Sequence, residues 1–304
     1  IGTVNGGVWR SYNATSNNVL WEPLTDAQPS LSIGGLALDP TDASAQTLVA
    51  GIGRRSSFGG LGGAQVGLLR TTDGGATWTQ LGATALAGRS VYNLHARGGT
   101  ILLAVPSTDN GTLPGLYRTT DGGANFTNLS GFAGSGLPAG AVTHLAADSG
   151  NLTRFYVHVA GNGVYRTDNS GATWLNISAG MAAATVNQLA LAVHNSSGTN
   201  AVYAAELTGT SRVYRSANLV TNWTQMDSVQ ANASTTFNSF VADPLNPNLV
   251  YLAGLFVRAN FPYSGRVVRG DAGQATGSQW ASIASTNGTG NGTAPHTDSR
   301  TMAF

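Results

Sequence analysis

The sequence predicts an all-β chain assembled as an array of four-stranded antiparallel units, and three observations carry that expectation. The first is a repeated phrase. Leu69-Arg70-Thr71-Thr72-Asp73-Gly74-Gly75-Ala76-Thr77-Trp78 returns as Tyr117-Arg118-Thr119-Thr120-Asp121-Gly122-Gly123-Ala124-Asn125-Phe126, and again as Tyr165-Arg166-Thr167-Asp168-Asn169-Ser170-Gly171-Ala172-Thr173-Trp174. A looser copy runs from Tyr214-Arg215-Ser216-Ala217-Asn218 to Trp223. Worn copies flank the set, Trp9-Arg10-Ser11 leading to Trp21 and Val268-Arg269-Gly270-Asp271 leading to Trp280. The phrase arginine falls at 10, 70, 118, 166, 215 and 269, a spacing of 48 to 60 residues that makes each repeat one supersecondary unit. The second observation is composition: 41 Gly and 10% charged residues suit short strands joined by glycine-rich turns. The 41% hydrophobic content feeds a core and argues against disorder. The third is that strand-like segments recur in the same order between the phrases.

Each element follows from local chemistry. Residues 115–118 predict one short strand and 126–129 another, with a Thr-x-Asp-Gly-Gly turn between them. Asp and Thr side chains bond the turn's own backbone N–H groups, and Gly supplies the positive φ where the chain reverses. The aromatic residue is expected to fold back over its hairpin as an apolar plug. Thr71, Asp73, Gly75 and Trp78 are therefore read as structural, as are Thr119, Asp121, Gly123 and Phe126. The same reading covers Thr167, Asn169, Gly171 and Trp174, and Ser216, Asn218 and Trp223. The cleanest unit reads as strands at 142–146, 155–159, 163–166 and 173–177. First and second strands elsewhere are expected at 33–38 with 48–52, 91–95 with 100–105, 186–193 with 201–205, and 237–242 with 249–253. The Asp39-Pro40 and Asp243-Pro244 steps close first strands, because Pro ends a ladder. Four antiparallel strands per unit, radially repeated, predict a β-propeller spanning 1–304 as one domain. Its repeats fall at about 1–26, 27–82, 83–131, 132–179, 180–228 and 229–285, with 286–304 starting a further or closing blade. Residues 1–4 read as the tail of a second strand, and 299–304 as a first strand.

The phrase resembles the Asp-box, or bacterial neuraminidase repeat, of pattern Ser/Thr-x-Asp-x-Gly-x-Thr-Trp. It is shared by sialidases, xyloglucanase-type glycoside hydrolases, sortilin-type receptors and uncharacterised bacterial surface proteins, to which this chain is most similar in look. The resemblance implies a propeller blade per copy and a ring of seven or more blades, of which six repeats are covered. It implies no particular reaction. A sialidase of this type carries an arginine triad, a Tyr with a Glu partner, and an acidic Asp. The only glutamates here are Glu22 and Glu206, and neither has a visible partner in the sequence. The xyloglucanase type needs two carboxylates facing each other across a cleft, one of them commonly just before an early Gly-Gly. The matching segment is Thr3-Val4-Asn5-Gly6-Gly7. Asn5 cannot act as a general acid or base. The expectation is a non-catalytic module, with a glycoside hydrolase as the alternative.

Charge and composition set further bounds. The net charge of +1 gives no electrostatic reason for nucleic-acid or acidic-membrane binding, although all fifteen basic residues are Arg. There is no Cys, hence no disulfide or thiol chemistry. No apolar run approaches membrane-spanning length. The five His are not spaced as a metal site, and no cofactor motif is present. Asn-x-Ser/Thr sequons at Asn13, Asn110, Asn151, Asn195, Asn232, Asn287 and Asn291 are candidate glycosylation sites. Those at Asn125, Asn128, Asn176 and Asn222 accompany the phrase itself. The set points to a secreted or cell-surface location.

Function is expected in the loops. In a propeller, the Asp-box turns occupy one face, and the loops joining strands two to three and four to one occupy the other. Three such loops outgrow the repeat, at 53–60, 106–114 and 257–264, and 296–300 enters the last strand on the same side. Excess loop length on a rigid scaffold marks a working surface. Arg54, Arg55, Phe58, Asp109, Arg258, Tyr263, His296 and Asp298 are the candidate ligand-binding residues. Arginine beside aromatics suits a protein partner or a polysaccharide. An incomplete terminal blade offers a second route, self-assembly through its unpaired edge.

Overall fold

The computed structural model describes residues 1–54, 60–108, 113–182, 186–196, 198–219, 222–234, 238–254, 265–284 and 301–304. The chain divides into two compact units, residues 1–145 with 170–173 and residues 146–169 with 174–304. In the first unit, blade 1 has three strands, Gly2–Thr3, Gly7–Arg10 and Glu22–Pro23. Arg10 stands opposite Glu22, so even the worn first copy of the phrase closes a hairpin. Blade 2 is Ile33–Leu38, Leu48–Ile52, Leu68–Thr71 and Thr79–Leu81. Blade 3 is Asn93–Arg97, Thr100–Val105, Gly115–Thr119 and Thr127–Asn128. A two-stranded ribbon pairs Arg89–Ser90 with Ser107–Thr108.

The chain leaves the first unit within blade 4, whose strands are Val142–Ala147, Phe155–Val159, Gly163–Thr167 and Leu175–Asn176. In the second unit, blade 5 is Leu189–Ser196, Thr199–Glu206, Val213–Ala217 and Thr224–Gln225. Blade 6 is Ser239–Ala242, Leu249–Ala253, Val267–Asp271 and Trp280–Ser282. In every four-stranded blade the strands lie in sequence order. The expected fold class is therefore what the chain adopts.

Packing explains why the central strands read as apolar runs. Phe155–Val159 is buried at all five positions, because both faces of the sheet are covered. Within the first unit, Val49 and Leu68 of blade 2 cluster with Leu94, Ile101 and Leu103 of blade 3. Within the second, Tyr156 and Val164 of blade 4 meet Leu189, Leu191 and Tyr214 of blade 5. Tyr203 and Val213 of blade 5 meet Val250 and Leu252 of blade 6. Each such side chain contributes roughly 1.5–3 kcal/mol on burial.

Three expectations need correction. The blade 3 first strand begins at Asn93, not 91, because the Val91 N–H donates to Ile52 O of blade 2 at 3.0 Å. The blade 5 first strand begins at Leu189, not 186, because Val186 O accepts from Gly161 N of blade 4 at 3.1 Å. In both, the preceding blade claims the residues that open the segment. Residues 301–304 form no strand. Phe304 instead packs its ring edge-on against Tyr251, with centroids 5.3 Å apart. Residues 299 and 300, and 237 at the start of the blade 6 strand, lie outside the described residues.

In the four central copies the residue after the box acid, or the Asn in its place, adopts the left-handed conformation. It is Gly74 (φ 70°) and Gly122 (φ 74°) in the complete copies, but Ser170 (φ 57°) and Leu219 (φ 62°) in the later ones. A side chain there costs roughly 1–2 kcal/mol, part of which glycine returns as unfolded-chain entropy. Ser170→Gly is expected to raise unfolding free energy by about 0.5–1 kcal/mol. Urea denaturation with an unchanged m-value checks it.

Candidate functional site

The Asp-box turns come first, because they account for most of the conspicuous polar residues. Thr71 Oγ1 donates to Asp73 Oδ1 at 2.7 Å and accepts the Gly75 N–H at 2.9 Å. Asp73 in turn accepts from the Thr77 N–H at 2.9 Å and the Thr77 hydroxyl at 2.6 Å. Thr119, Asp121, Gly123 and Asn125 repeat this arrangement. Asn169 takes the acid's place in the next copy, accepting from Thr167 Oγ1 at 2.8 Å. The Asp73 carboxyl is held well below the usual range, chiefly by the Thr77 hydroxyl, then the Thr77 N–H and the Thr71 hydroxyl. The Asn125 N–H, the Asn125 amide and the Thr119 hydroxyl do the same for Asp121. These acids stay ionised and hydrogen-bonded to their own turns.

The aromatic residue departs from the expected plug. Trp78 Nε1 does bond its own hairpin, at Gly75 O, 3.2 Å. Trp223 Nε1 instead donates to Ile177 O of blade 4 at 2.6 Å, and Trp280 Nε1 to Asp227 O, beyond the last strand of blade 5, at 2.7 Å. The later aromatics thus bolt a hairpin to the blade before it. The phrase arginine works in the other direction. Arg10 Nη1 donates to Gly74 O of blade 2 at 2.6 Å, and Arg166 Nη1 to Leu219 O of blade 5 at 3.2 Å. Both acceptors are the residue after the box acid.

Buried acids at the ends of first strands add a third link. Asp148, fully buried, accepts from Asn195 Nδ2 at 2.6 Å and Asn200 Nδ2 at 3.2 Å, both of blade 5. Asp39 accepts the Gly98 N–H of blade 3 at 2.7 Å. A backbone carbonyl serves the same purpose between blades 5 and 6, where His194 Nδ1 meets Asp243 O at 2.6 Å. Sequence reading placed Asp39 and Asp243 as strand closers but gave no sign of these cross-blade bonds.

Of the candidate ligand-binding residues, Arg54 alone lies among the described residues; Arg55, Phe58, Asp109, Arg258, Tyr263, His296 and Asp298 lie outside them. Arg54 Nε and Nη2 donate to Gly63 O at 3.1 and 3.0 Å, and its N–H donates to Ser90 Oγ at 2.8 Å. Beside it, Ser32 Oγ donates to Asn5 Oδ1 at 2.7 Å and accepts the Gly63 N–H at 2.7 Å. Asn5, at the position where the xyloglucanase type carries an acid, clips two loops together. Among the sequons, Asn195 and Asn13 use their amide nitrogens internally, on Asp148 at 2.6 Å and Asn18 O at 2.9 Å. Asn110, Asn287 and Asn291 lie outside the described residues.

Apart from Asp26, the remaining carboxylates among the described residues are also engaged. Glu22 pairs with Arg10 at 2.8 Å on the outer edge of blade 1. Glu206, which has no visible partner in the sequence, is buried and forked by Arg212 at 2.8 and 2.6 Å. Asp168 sits between Arg154 and Arg166, at 2.5 and 3.0 Å. Asp42, Asp243 and Asp271 accept backbone N–H groups of their own turns, and Asp227 accepts the Gly277 N–H of blade 6 at 2.7 Å. Among the described residues, no three His, Asp or Glu side chains converge as metal ligands, and no helix is long and apolar enough to cross a membrane.

With this geometry in hand, comparison fixes the class. The chain has the β-propeller fold. It is similar to the GH74 xyloglucanase from Xanthomonas campestris, with 19% identity and a TM-score of 0.60. The match covers 92% of this chain and 42% of that one, so the chain spans less than half the enzyme's length. It is similar to YCF48 bound to D1 peptide, at 17% identity and TM-score 0.51 over 86% of this chain and 70% of that one. It is also similar to PorZ, a bacterial surface component of the type-IX secretion system of Porphyromonas gingivalis. There the identity is 15% and the TM-score 0.51, over 89% of this chain and 30% of that one. No protein-family model and no curated protein sequence matches the chain.

Two interior histidines, His95 and His158, have pKa values lowered to about 4 chiefly by burial and so report on the stability of the fold. His158, fully buried opposite Val164, has its pKa lowered to about 4 by burial, with the Val186 backbone bond opposing. The unfolded chain takes the proton first, near pH 6.5. His158 therefore contributes full stability above pH 6.5 and loses it as pH falls toward 4, by on the order of 3 kcal/mol. Unfolding free energy measured from pH 7 to 4 should fall more steeply in the parent than in His158→Gln.

Proposed function

We propose that this chain is a non-catalytic binding module, secreted or displayed at a cell surface, which presents loops on a rigid propeller to a protein or polysaccharide. The observation that carries the reading is the disposition of the acids. Hydrolysis of a glycoside by the usual route needs two carboxyl groups free to act as acid and base or nucleophile, about 5–10 Å apart. Here the glutamates are both in ion pairs, and the described aspartates other than Asp26 are bound to arginine or to turn backbone. Asn5 occupies the early acid position and is itself hydrogen-bonded. The working surface in this reading is the rim of long loops holding Arg54, Arg55, Phe58, Arg258, Tyr263, His296 and Asp298.

The similar folds support both this reading and its rival. YCF48 is a propeller seen with a peptide, and PorZ is a surface component. The GH74 xyloglucanase keeps the glycoside-hydrolase alternative open, with Asp109 and Asp298 as the acids to test first. A glycan array and a surface-proteome capture, run beside reducing-sugar release from xyloglucan and related polysaccharides, separates them. The expected result is saturable binding without sugar release. Arg54→Ala combined with Arg258→Ala is expected to weaken that binding at least tenfold at an unchanged Tm. Sugar release that disappears in Asp109→Ala or Asp298→Ala would establish the hydrolase instead.

A further inference from the structure

The chain contains five Asn-Gly steps, at Asn5, Asn110, Asn162, Asn287 and Asn291, of which the structure describes those at Asn5 and Asn162. An Asn-Gly step is chemically unstable. Glycine has no Cβ to keep its backbone nitrogen away from the carbonyl carbon of the preceding asparagine side chain. Whether the two atoms meet depends on what already holds them, and the two described steps are held in opposite ways. Asn5 Oδ1 accepts from Ser32 Oγ at 2.7 Å, and the Gly6 N–H donates to Thr3 Oγ1 at 3.0 Å. There the electrophile and the nucleophile are each tied by a hydrogen bond.

Asn162 ends the short loop that joins the second and third strands of blade 4, Phe155–Val159 and Gly163–Thr167. It is exposed, and a Cβ built on Gly161 beside it would meet only open space, so water reaches the tip. Asn162 Nδ2 donates to Ala160 O at 3.0 Å, while its Oδ1 has no hydrogen-bond partner among the described residues. The Asn162 N–H takes Val159 O at 2.9 Å, and Val159 is the residue that faces Gly163 across the ladder. Gly163 itself has φ 107°, a conformation open to glycine and rare for other residues.

We propose that Asn162–Gly163 is a self-modification site of the folded chain. The Gly163 nitrogen attacks Asn162 Cγ, forming a new C–N bond. The Cγ–Nδ2 bond breaks, and ammonia leaves with the Gly163 proton, which gives a five-membered succinimide. Water then opens either carbonyl of that ring and yields aspartate or isoaspartate at position 162. Water is the only other reactant. In the isoaspartyl product the main chain runs through Cβ and Cγ, so the loop is one carbon longer. The Gly161 N–H donates to Val186 O, at the entry to blade 5, at 3.1 Å. The lengthened loop loses this bond, and the new carboxylate adds negative charge on the side of the strand-two to strand-three loops. The chemistry needs no ligand, so it stands or falls separately from the binding reading.

The test ages the whole 304-residue chain at mildly alkaline pH, folded and in concentrated guanidinium, and digests samples with trypsin. Cleavage after Arg10, Arg154 and Arg166 puts Asn5 and Asn162 in separate peptides, each with no other asparagine. Conversion is read as a gain of one mass unit, and isoaspartate as methyl uptake with an isoaspartyl methyltransferase. In the folded chain Asn162 is expected to convert about tenfold or more faster than Asn5, because Asn5 must first release two hydrogen bonds. In guanidinium the two rates are expected to be equal. Ageing is expected to lower the Tm of the parent and to leave that of Asn162→Gln unchanged. The proposal is overturned if Asn162 stays intact in the folded chain while it converts in the denatured one, or if Asn5 keeps pace with it in the folded chain. A parent carrying isoaspartate at 162 with an undiminished Tm would overturn the coupling to blade 5.

Discussion

The side-chain hydrogen bond from Thr to the Asp or Asn two residues on, made at Thr71, Thr119 and Thr167, is the constraint on which the rest of the structure depends. A two-residue side-chain contact, Thr71 to Asp73, fixes a turn that backbone bonds alone would leave loose. It holds the following residue in the left-handed region and brings the second glycine against the blade before it. A Cβ on Gly75 would lie 2.7 Å from Leu24 Cδ1, and one on Gly123 would lie 2.6 Å from Leu81 Cδ1. The turn is thus a docking surface, and it must be glycine where the neighbouring leucine arrives. Once it is set, the carbonyl of its left-handed residue can receive an arginine from one neighbour, as Arg10 and Arg166 show. A tryptophan from the turn can reach back to a carbonyl of that same preceding blade, as Trp223 and Trp280 show.

This explains why the phrase dominates the sequence yet says little about chemistry. Its acid is ionised, held below the usual range by turn donors, and saturated with hydrogen bonds. A group in that state is a poor proton carrier. Three of the phrase arginines, Arg10, Arg166 and Arg215, donate to the next blade. The second unit makes the same point with Asp148, a fully buried acid whose partners Asn195, Asn200 and Arg154 come from two blades. In the function proposed above, recognition therefore falls to the long loops rather than to the phrase.

Much of the fold was legible in the sequence because each unit repeats the same local chemistry. Four strands per unit, the Asp-Pro strand ends and the staple role of Asp73 and Asp121 all follow from short-range rules. What escaped was what one blade does to the next. The segments that open at Val91 and Val186 have strand-like composition, but the preceding blade takes a backbone group of each of these two residues. Trp223 looks like a plug for its own hairpin, and the acceptor that claims it lies 46 residues away. Glu206 looks unpaired because Arg212 reaches it across the strand-two to strand-three loop. The candidate site was the least legible part. Loop length marks where a surface can evolve, not what it binds, and Arg54 turns its guanidinium onto its own loop at Gly63.

If the blades are coupled through their Asp-box turns, breaking one coupling bond at constant packing must weaken the fold. Trp223→Phe removes the Nε1 donor to Ile177 O, leaves that buried carbonyl unpaired, and keeps an aromatic ring in place. Equilibrium urea unfolding is expected to show a loss of about 1–3 kcal/mol with an unchanged m-value. A variant as stable as the parent would contradict the account, because the tryptophan would then be only an apolar plug and the turn only a local structure.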